Sequence, residues 1–575
     1  MIKPFNSTLK LLLAFLPLFS CVDNNYDLSD IDTTVEVKIN DLVIPINIDE
    51  IKLSTILDLD SGSRIQERDG SYVIIENGDI NSEQIKVAAI SVEAPAITPI
   101  SRVIDLTSNA SGVDAAPGSV TVGPLMTSFE YSYNNVDACI TDIKNVGTEN
   151  FIINISLNIK DNNNSSNDYY LNQLTLQLPD GLEGTASGGS YDKATGTVTF
   201  NSVTMTNGSF NFDFNVSKIN IVEPTSTFSP DNHTFQFSSE IGITSIEIDT
   251  ESILNSVNPS SMLTLTIDIE MSPLNITSFS GRINYDLSGF NIESISLDNL
   301  PGLLTQEETN IGICNPQIYL SLNNPLDIYG LYATANIAIT PYRDGVAGTV
   351  ARPDNGVFQI GKGGFTGDIY NYCLSPEGPS QSMLYEYPLP NEIKFSSLSN
   401  ILFGNGLPSS ISIEIENPSV PNLEVTNLLL GVDLGAVSGK YSFYAPLAFT
   451  ENSQIIYTGT TDGWDSEDIE NLTINTLEVS LTVKNNLPIS LALSGTPINK
   501  EGQPINSVKL EGATIQGGST SDITIRATGS IVGLDGIEYH AVGTIANPGI
   551  AISPDQSIEL SNIRAKVSGS YIKTL

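Results

Sequence analysis

The chain has 575 residues, enough for roughly four domains at about 150 residues each, and 66 acidic residues against 25 Lys and Arg give it a net charge of −41. That balance excludes the usual nucleic-acid binder, whose affinity comes from Lys and Arg neutralising phosphates, and it opposes adsorption to anionic lipid. Only 16% of the residues are charged, against about 25% in average soluble proteins, and Ile, Ser, Thr, Asn and Gly are abundant, so the expected fold class is all-β, with several β-sandwich modules in tandem and only short helical turns.

At the N-terminus, Lys3 and Lys10 precede an apolar run from Leu11 to Phe19 that only Pro17 interrupts. This has the layout of a signal peptide and is too short for a spanning helix, which needs about 20 apolar residues. The run ends in Leu18-Phe19-Ser20-Cys21, which resembles a bacterial lipobox. The resemblance implies cleavage before Cys21, lipid on its sulfur and new amino group, and attachment to a Gram-negative envelope. Val22 follows where the best-known inner-membrane retention rule has aspartate, so the resemblance implies the outer membrane, with the surface-exposed face favoured by the polar leader and the acidity. The alternative is an ordinary signal peptide with a chance cysteine. Residues 21–34 read as a polar tether, in which Asp32-Thr33-Thr34 resembles the O-glycosylation acceptor of Bacteroidota.

From Val35 the pattern turns to alternation. Val35–Ile39 and Leu42–Ile48 read as strands, with Pro45 marking an edge or a bulge. Ile51–Leu57 suits a short helix, and Arg68-Asp69-Gly70-Ser71 and Asn77-Gly78 read as turns. Residues 35–127 form the first expected domain. The second, 128–222, carries expected strands at Ala138–Ile143, Phe151–Ile159, Tyr170–Leu178, Thr197–Phe200 and Phe210–Val216. The last places Phe210, Phe212, Phe214 and Val216 on one face. The turn-rich stretches Leu178–Leu182 and Gly188–Val198 resemble the immunoglobulin-like repeats of bacterial surface proteins.

Beyond residue 223 a strand-Asn-Pro-strand pattern recurs at Asn324-Pro325, Asn417-Pro418, Asn486-Leu-Pro488 and Asn547-Pro548. Asparagine tolerates turn geometry and proline ends a ladder, so each copy is expected to end a strand and redirect the chain. The pattern resembles late-embryogenesis-abundant β-sandwiches, which implies the sandwich shape and nothing more. Ser296–Pro301 and Ser397–Leu402 rhyme and suit single helical turns capping sandwich ends. These features divide the remainder into expected domains at 223–390 and 391–575.

No catalytic set is legible. The two histidines, His233 and His540, have no metal-ligand cluster beside them, and no Gly-x-Ser-x-Gly elbow is present. Gly361-Lys-Gly-Gly-Phe-Thr-Gly367 fits no phosphate-loop spacing and reads as a flexible hairpin tip. With 66 acids no catalytic carboxylate pair can be picked for a hydrolase, and the chain is expected not to be an enzyme. Two acidic runs could hold calcium, Asp58-Leu-Asp60 with Glu67 and Asp69, and Asp462 to Asp468, although neither has EF-hand spacing. If Cys21 is lipidated, Cys139, Cys314 and Cys373 remain, and Cys314 with Cys373 is the candidate disulfide.

Eight of the 21 tyrosines fall between Tyr319 and Tyr387. Aromatic faces on loops can stack on sugars or anchor a protein, and tyrosines equally fill strands. The candidate ligand-binding residues are Tyr329, Tyr332, Tyr370, Tyr372, Tyr385, Tyr387 and, at an acidic turn, Trp464. The sequence therefore predicts a lipid-anchored envelope protein with a surface binding, adhesion or assembly role toward a protein partner, or, alternatively, a glycan-binding accessory of a polysaccharide-uptake system.

Overall fold

The computed structural model describes residues 34–46, 50–53, 57, 63–105, 113–116, 118–161, 167–251, 262–287, 289, 291–462, 472–531 and 535–574. Cys21 and Trp464, with Asp58, Asp60, Asp465, Glu467 and Asp468, lie outside them. The protein is all-β, 62% strand and 5% helix. Its described strands form five sheets, of twelve, eight, seven, six and six strands.

Alternating apolar residues cause these strands to pair face to face as sandwiches. The eight-stranded sheet packs on one half of the twelve-stranded sheet through an aromatic seam. Tyr131 and Phe237 meet Phe151 at ring separations of 5.6 and 6.4 Å, and Tyr191 meets Phe214 at 4.8 Å. The predicted face of Ser209–Asn220 supplies this seam, with Phe212 and Phe214 fully buried. The seven-stranded sheet packs on the other half of the twelve-stranded sheet, where Phe358 meets Tyr372 at 6.0 Å. In the third sandwich Val483 and Ile558 of one six-stranded sheet share a core with Ile489 and Ile515 of the other.

The several sandwiches expected are present, and the chain enters and leaves them in a nested order whose limits differ from the boundaries expected at 127, 222 and 390. Thr34–Ile46 pairs antiparallel with Ser557–Thr574, so both ends of the described chain belong to the third sandwich. Ile65–Arg68 and Ser71–Asn81 then enter the second, where Ser71–Asn81 pairs with Ser438–Pro446. Residues 90–286 build the first. Residues 291–446 complete the second, apart from Asn310–Ile311 and Gly404–Asn405, which join residues 454–574 in completing the third. The twelve-stranded sheet runs unbroken through the first two because Leu274–Asp286 pairs with Ser410–Leu429. The second and third are tied by backbone bonds, Tyr72 N–H to Ile552 O at 2.9 Å and Ile552 N–H to Leu447 O at 3.0 Å.

Local signals met mixed outcomes for physical reasons. Asp69 and Gly70 both take positive φ, 49° and 75°, in the tight hairpin expected there. Pro45 lies on an edge strand, as its missing N–H requires. Asn77-Gly78 is not a turn. It lies inside Ser71–Asn81, and Gly78 is there because the Tyr441 ring would sit 2.5 Å from any Cβ. Of the short helix expected over Ile51–Leu57, the described Leu53 and Leu57 are helical, while Ile51–Lys52 form a strand. The two strands expected between Ala138 and Ile159 are one strand, Ile140–Asp161, bent where its register shifts between Gly147 and Phe151. At Asn417-Pro418 the strand Ser410–Leu429 continues through a bulge, with Asn417 at φ 51°, instead of ending.

Candidate functional site

The site is built on the loop end of the second sandwich. Gln317–Asn323 ends at Asn324, whose fully buried side chain accepts from Leu326 N–H at 3.0 Å and donates to Leu331 O at 3.1 Å. That bond starts a 3-10 turn, Pro325–Tyr329, and redirects the chain into the facing sheet. The turn delivers Asp327 to the interior.

Asp327 is a fully buried carboxylate wrapped by the glycine-rich loop. Its Oδ1 accepts from Gly364 N–H at 3.1 Å and Lys362 N–H at 3.4 Å. Its Oδ2 accepts from Gly367 N–H at 3.1 Å, Thr366 N–H at 3.4 Å, Thr366 Oγ1 at 3.3 Å and Tyr370 Oη at 2.9 Å. Its backbone carbonyl accepts from Phe365 N–H at 3.0 Å. Consecutive amides turned to one point make an anion nest; here the anion is the protein's own carboxylate. Burial alone would raise the Asp327 pKa, but the Tyr370 hydroxyl and the Gly364, Gly367 and Thr366 amides outweigh it and hold the group below the usual carboxylate range. Tyr370 is pushed up, by burial and by its bond to that carboxylate. The segment expected to be a flexible tip is therefore a clamped loop.

The clamp holds apolar side chains in solvent. Phe365 is 67% exposed at φ 61°, and its ring leaves no room for a Cβ at Gly330, which would lie 2.3 Å from it. Ile328 and Ile369 are exposed beside it, Ile328 touching the Gly367 position. Leu389, between Pro388 and Pro390, is 95% exposed at φ 45°. Left-handed backbone costs a residue with a Cβ roughly 1–2 kcal/mol, and such strain gathers at working sites.

The tyrosines divide sharply. Tyr370, Tyr372 and Tyr387 are buried and cannot stack on a ligand, which corrects their assignment as binding residues. Tyr370 and Tyr372 face the sandwich core because they alternate with outward-facing Ile369, Asn371 and Cys373. Tyr387 belongs to a strap formed by residues 376–390 and packs against the outer face of the sheet, its ring tilted by 33° to that of Tyr319 at 5.1 Å and its hydroxyl hydrogen-bonded to Ser442 Oγ at 2.6 Å. Tyr329 and Tyr332 are half-buried, and Tyr385 is 95% exposed on the strap. Sequence reading missed Asp327, Ile328, Phe365, Ile369 and Leu389; the glycine spacing of 361–367 was the available signal.

Cys314 and Cys373 are not bonded, which corrects the expected disulfide: Cys139, Cys314 and Cys373 are all free. Cys373 is sealed under the strap with Tyr319, Met383 and Tyr387. Cys314 lies at the joint between the second and third sandwiches, its N–H donating to Ala448 O at 2.7 Å. Burial raises all three thiols, Cys373 to about 11. Among the described residues no helix is long and apolar enough to cross a membrane, and no group of three or more His, Cys, Asp or Glu is placed to hold a metal ion.

No protein-family model and no curated protein matches the chain. Among solved structures, one described as a secreted protein from Parabacteroides distasonis ATCC 8503 is 13% identical, over 51% of this chain and 89% of that one, with a TM-score of 0.36. A triple jelly-roll turret protein of an archaeal virus is 12% identical over 84% of this chain and 90% of its own, at a TM-score of 0.10. Tripeptidyl peptidase 2 is 8% identical over 77% of this chain and 37% of its own, at 0.12. With every TM-score below 0.5, none of these assigns the chain a function.

Proposed function

We propose that this chain is a non-enzymatic binding protein of the cell envelope, tethered by lipid on Cys21 and engaging its partner through the loop end of the second sandwich. One observation carries the reading: a buried carboxylate with six hydrogen-bond donors fixes a loop that holds Phe365 exposed in left-handed backbone, with Ile328 and Ile369 exposed as well. Exposed large apolar residues that a protein holds rigidly mark interaction sites, and preorganised contacts lose less entropy on binding. The outer membrane, facing outside, is the location that the lipobox resemblance and the acidity support.

The test joins anchor and surface. Cells expressing the chain are labelled with a palmitate analogue, and the purified full-length protein is measured for binding to envelope and extracellular fractions. Wild type takes up label and binds, Cys21→Ser loses the label, and Phe365→Asp loses at least tenfold in binding with unchanged melting. Label on Cys21→Ser refutes the anchor, and undiminished binding by Phe365→Asp refutes the surface.

A further inference from the structure

The outer face of the seven-stranded sheet carries a polar platform next to the clamped loop, and we propose that it binds a neutral oligosaccharide with free vicinal hydroxyls. This rests on the reading of the second sandwich as a binding module and names the ligand class and the residues that meet it.

Register places the side chains. Four adjacent strands, Ser71–Asn81, Ser438–Pro446, Gln317–Asn323 and Ile369–Ser375, bring Asn81, Ser438, Asn323 and Ile369 into one cross-strand row. The next row is Asp79, Lys440, Ser321 and Asn371. All alternate with buried partners such as Ile80, Tyr441, Leu322 and Tyr370, so both rows point outward together. At about 4.8 Å between strands, each row spans about 14 Å. One row further along, the sheet disappears beneath the strap, where Ser442 and Tyr387 close the floor. Asp79, Asn81, Asn323 and Lys440 are exposed, and Ile369 and Leu389 stand at the margin, Leu389 following Pro388, whose carbonyl takes the Asn371 amide at 3.0 Å.

Four properties select a neutral polyol over a protein or a charged ligand. Amide side chains donate and accept at once, as sugar hydroxyls do. The platform holds one acid and one base, Asp79 and Lys440, on a chain of net charge −41, so its local charge suits an uncharged ligand and offers no acidic surface for a basic protein. Lys440 is directed over the Tyr387 ring at 5.2 Å from its centroid rather than into an ion pair with the cross-strand Asp79, which leaves that carboxylate open to hydroxyls. The apolar rim of Ile369 and Leu389 fits the C–H face of a sugar ring.

The experiment is affinity electrophoresis of the full-length protein in gels containing dextran, pullulan, xylan or galactomannan, followed by calorimetry with the polysaccharide that retards it. The variants are Asn81→Ala/Asn323→Ala on the platform, Phe365→Ala on the clamped loop and, as the control, Val103→Ser in the first sandwich; all four side chains are solvent-exposed, so circular dichroism and melting should match wild type. Retardation by at least one polysaccharide, weakened tenfold or more in the platform variant and unchanged in Val103→Ser, is the expected result. Retardation that the platform variant keeps overturns the platform, and if Phe365→Ala then loses it the second sandwich remains the binding module. No retardation by any of the four also overturns it, and if envelope fractions then bind through Phe365 the ligand is a protein.

Discussion

At the scale of single residues, Asp327 decides most. A buried carboxylate is costly unless its oxygens are satisfied, and this one is satisfied by the amides of the loop it organises. Asp327→Asn keeps the shape, but turns an NH2 group toward donors that needed an acceptor. Hydrogen bonds to charged groups are worth about 1.5–3 kcal/mol each, so a loss of about 2–4 kcal/mol in urea denaturation is expected. The pH dependence follows from the depressed pKa. The stabilisation is present above the unfolded-state carboxylate range and is lost as pH falls through the lower folded-state value. Protection of the 361–367 amides from hydrogen exchange should therefore hold through neutral and mildly acidic pH and fail only in stronger acid. Phe365→Gly removes a left-handed residue bearing a Cβ; stability should hold or rise by up to about 1 kcal/mol while partner binding falls, a separation that thermal melting and binding assays can read. The thiols offer an independent check. Burial raises all three, so native protein should react slowly with Ellman's reagent, Cys314 first because it is half-buried, and unfolding should release Cys139 and Cys373.

At the scale of elements, close approach of backbone and ring explains where local reading fails. Asn-Gly at 77–78 has turn chemistry, yet Tyr441 lies over Gly78 across the strand pair and fixes it in extended form. Gly78→Ala should cost about 1–3 kcal/mol through overpacking, measured by chemical denaturation. The buried asparagines show the opposite case, a local signal that tertiary packing completes. Asn324 and Asn485 end strands in different sandwiches with the same geometry. Each accepts from the amide two residues on at 3.0 Å, and each donates to a later carbonyl, Leu331 O or Ile489 O. Both mark the point where the chain crosses from one sheet of a sandwich to the other. Asn417 carries the same Asn-Pro letters but stays on a strand because its neighbours on both sides remain paired. Turn residues thus announced a change of direction without saying whether the change was a corner or a bulge.

At the scale of the whole molecule, nesting sets what can fold alone. Residues 90–286 hold every strand of the first sandwich in one continuous stretch, so a fragment of that span should fold and melt cooperatively by circular dichroism. A fragment of residues 291–446 lacks Ser71–Asn81, a strand of its sheet, and should not. Deleting residues 34–46 strips the edge partner from Ser557–Thr574 and should lower the melting of the third sandwich alone.

The sequence by itself determined the β class, the main strands and the face of Phe212 and Phe214, because an alternation of period two reports burial locally. It also carried the glycine run and the corner at Asn324-Pro325, since each depends on a few neighbouring residues. Only the tertiary structure decided that Tyr370, Tyr372 and Tyr387 are buried, that Cys314 and Cys373 stay apart and that an aspartate more than thirty residues upstream fills the glycine-rich loop. Those outcomes depend on which strand lies beside which. That pairing is set by burial summed over the whole molecule, with partners as distant as Thr34 and Thr574, and no window of sequence contains it.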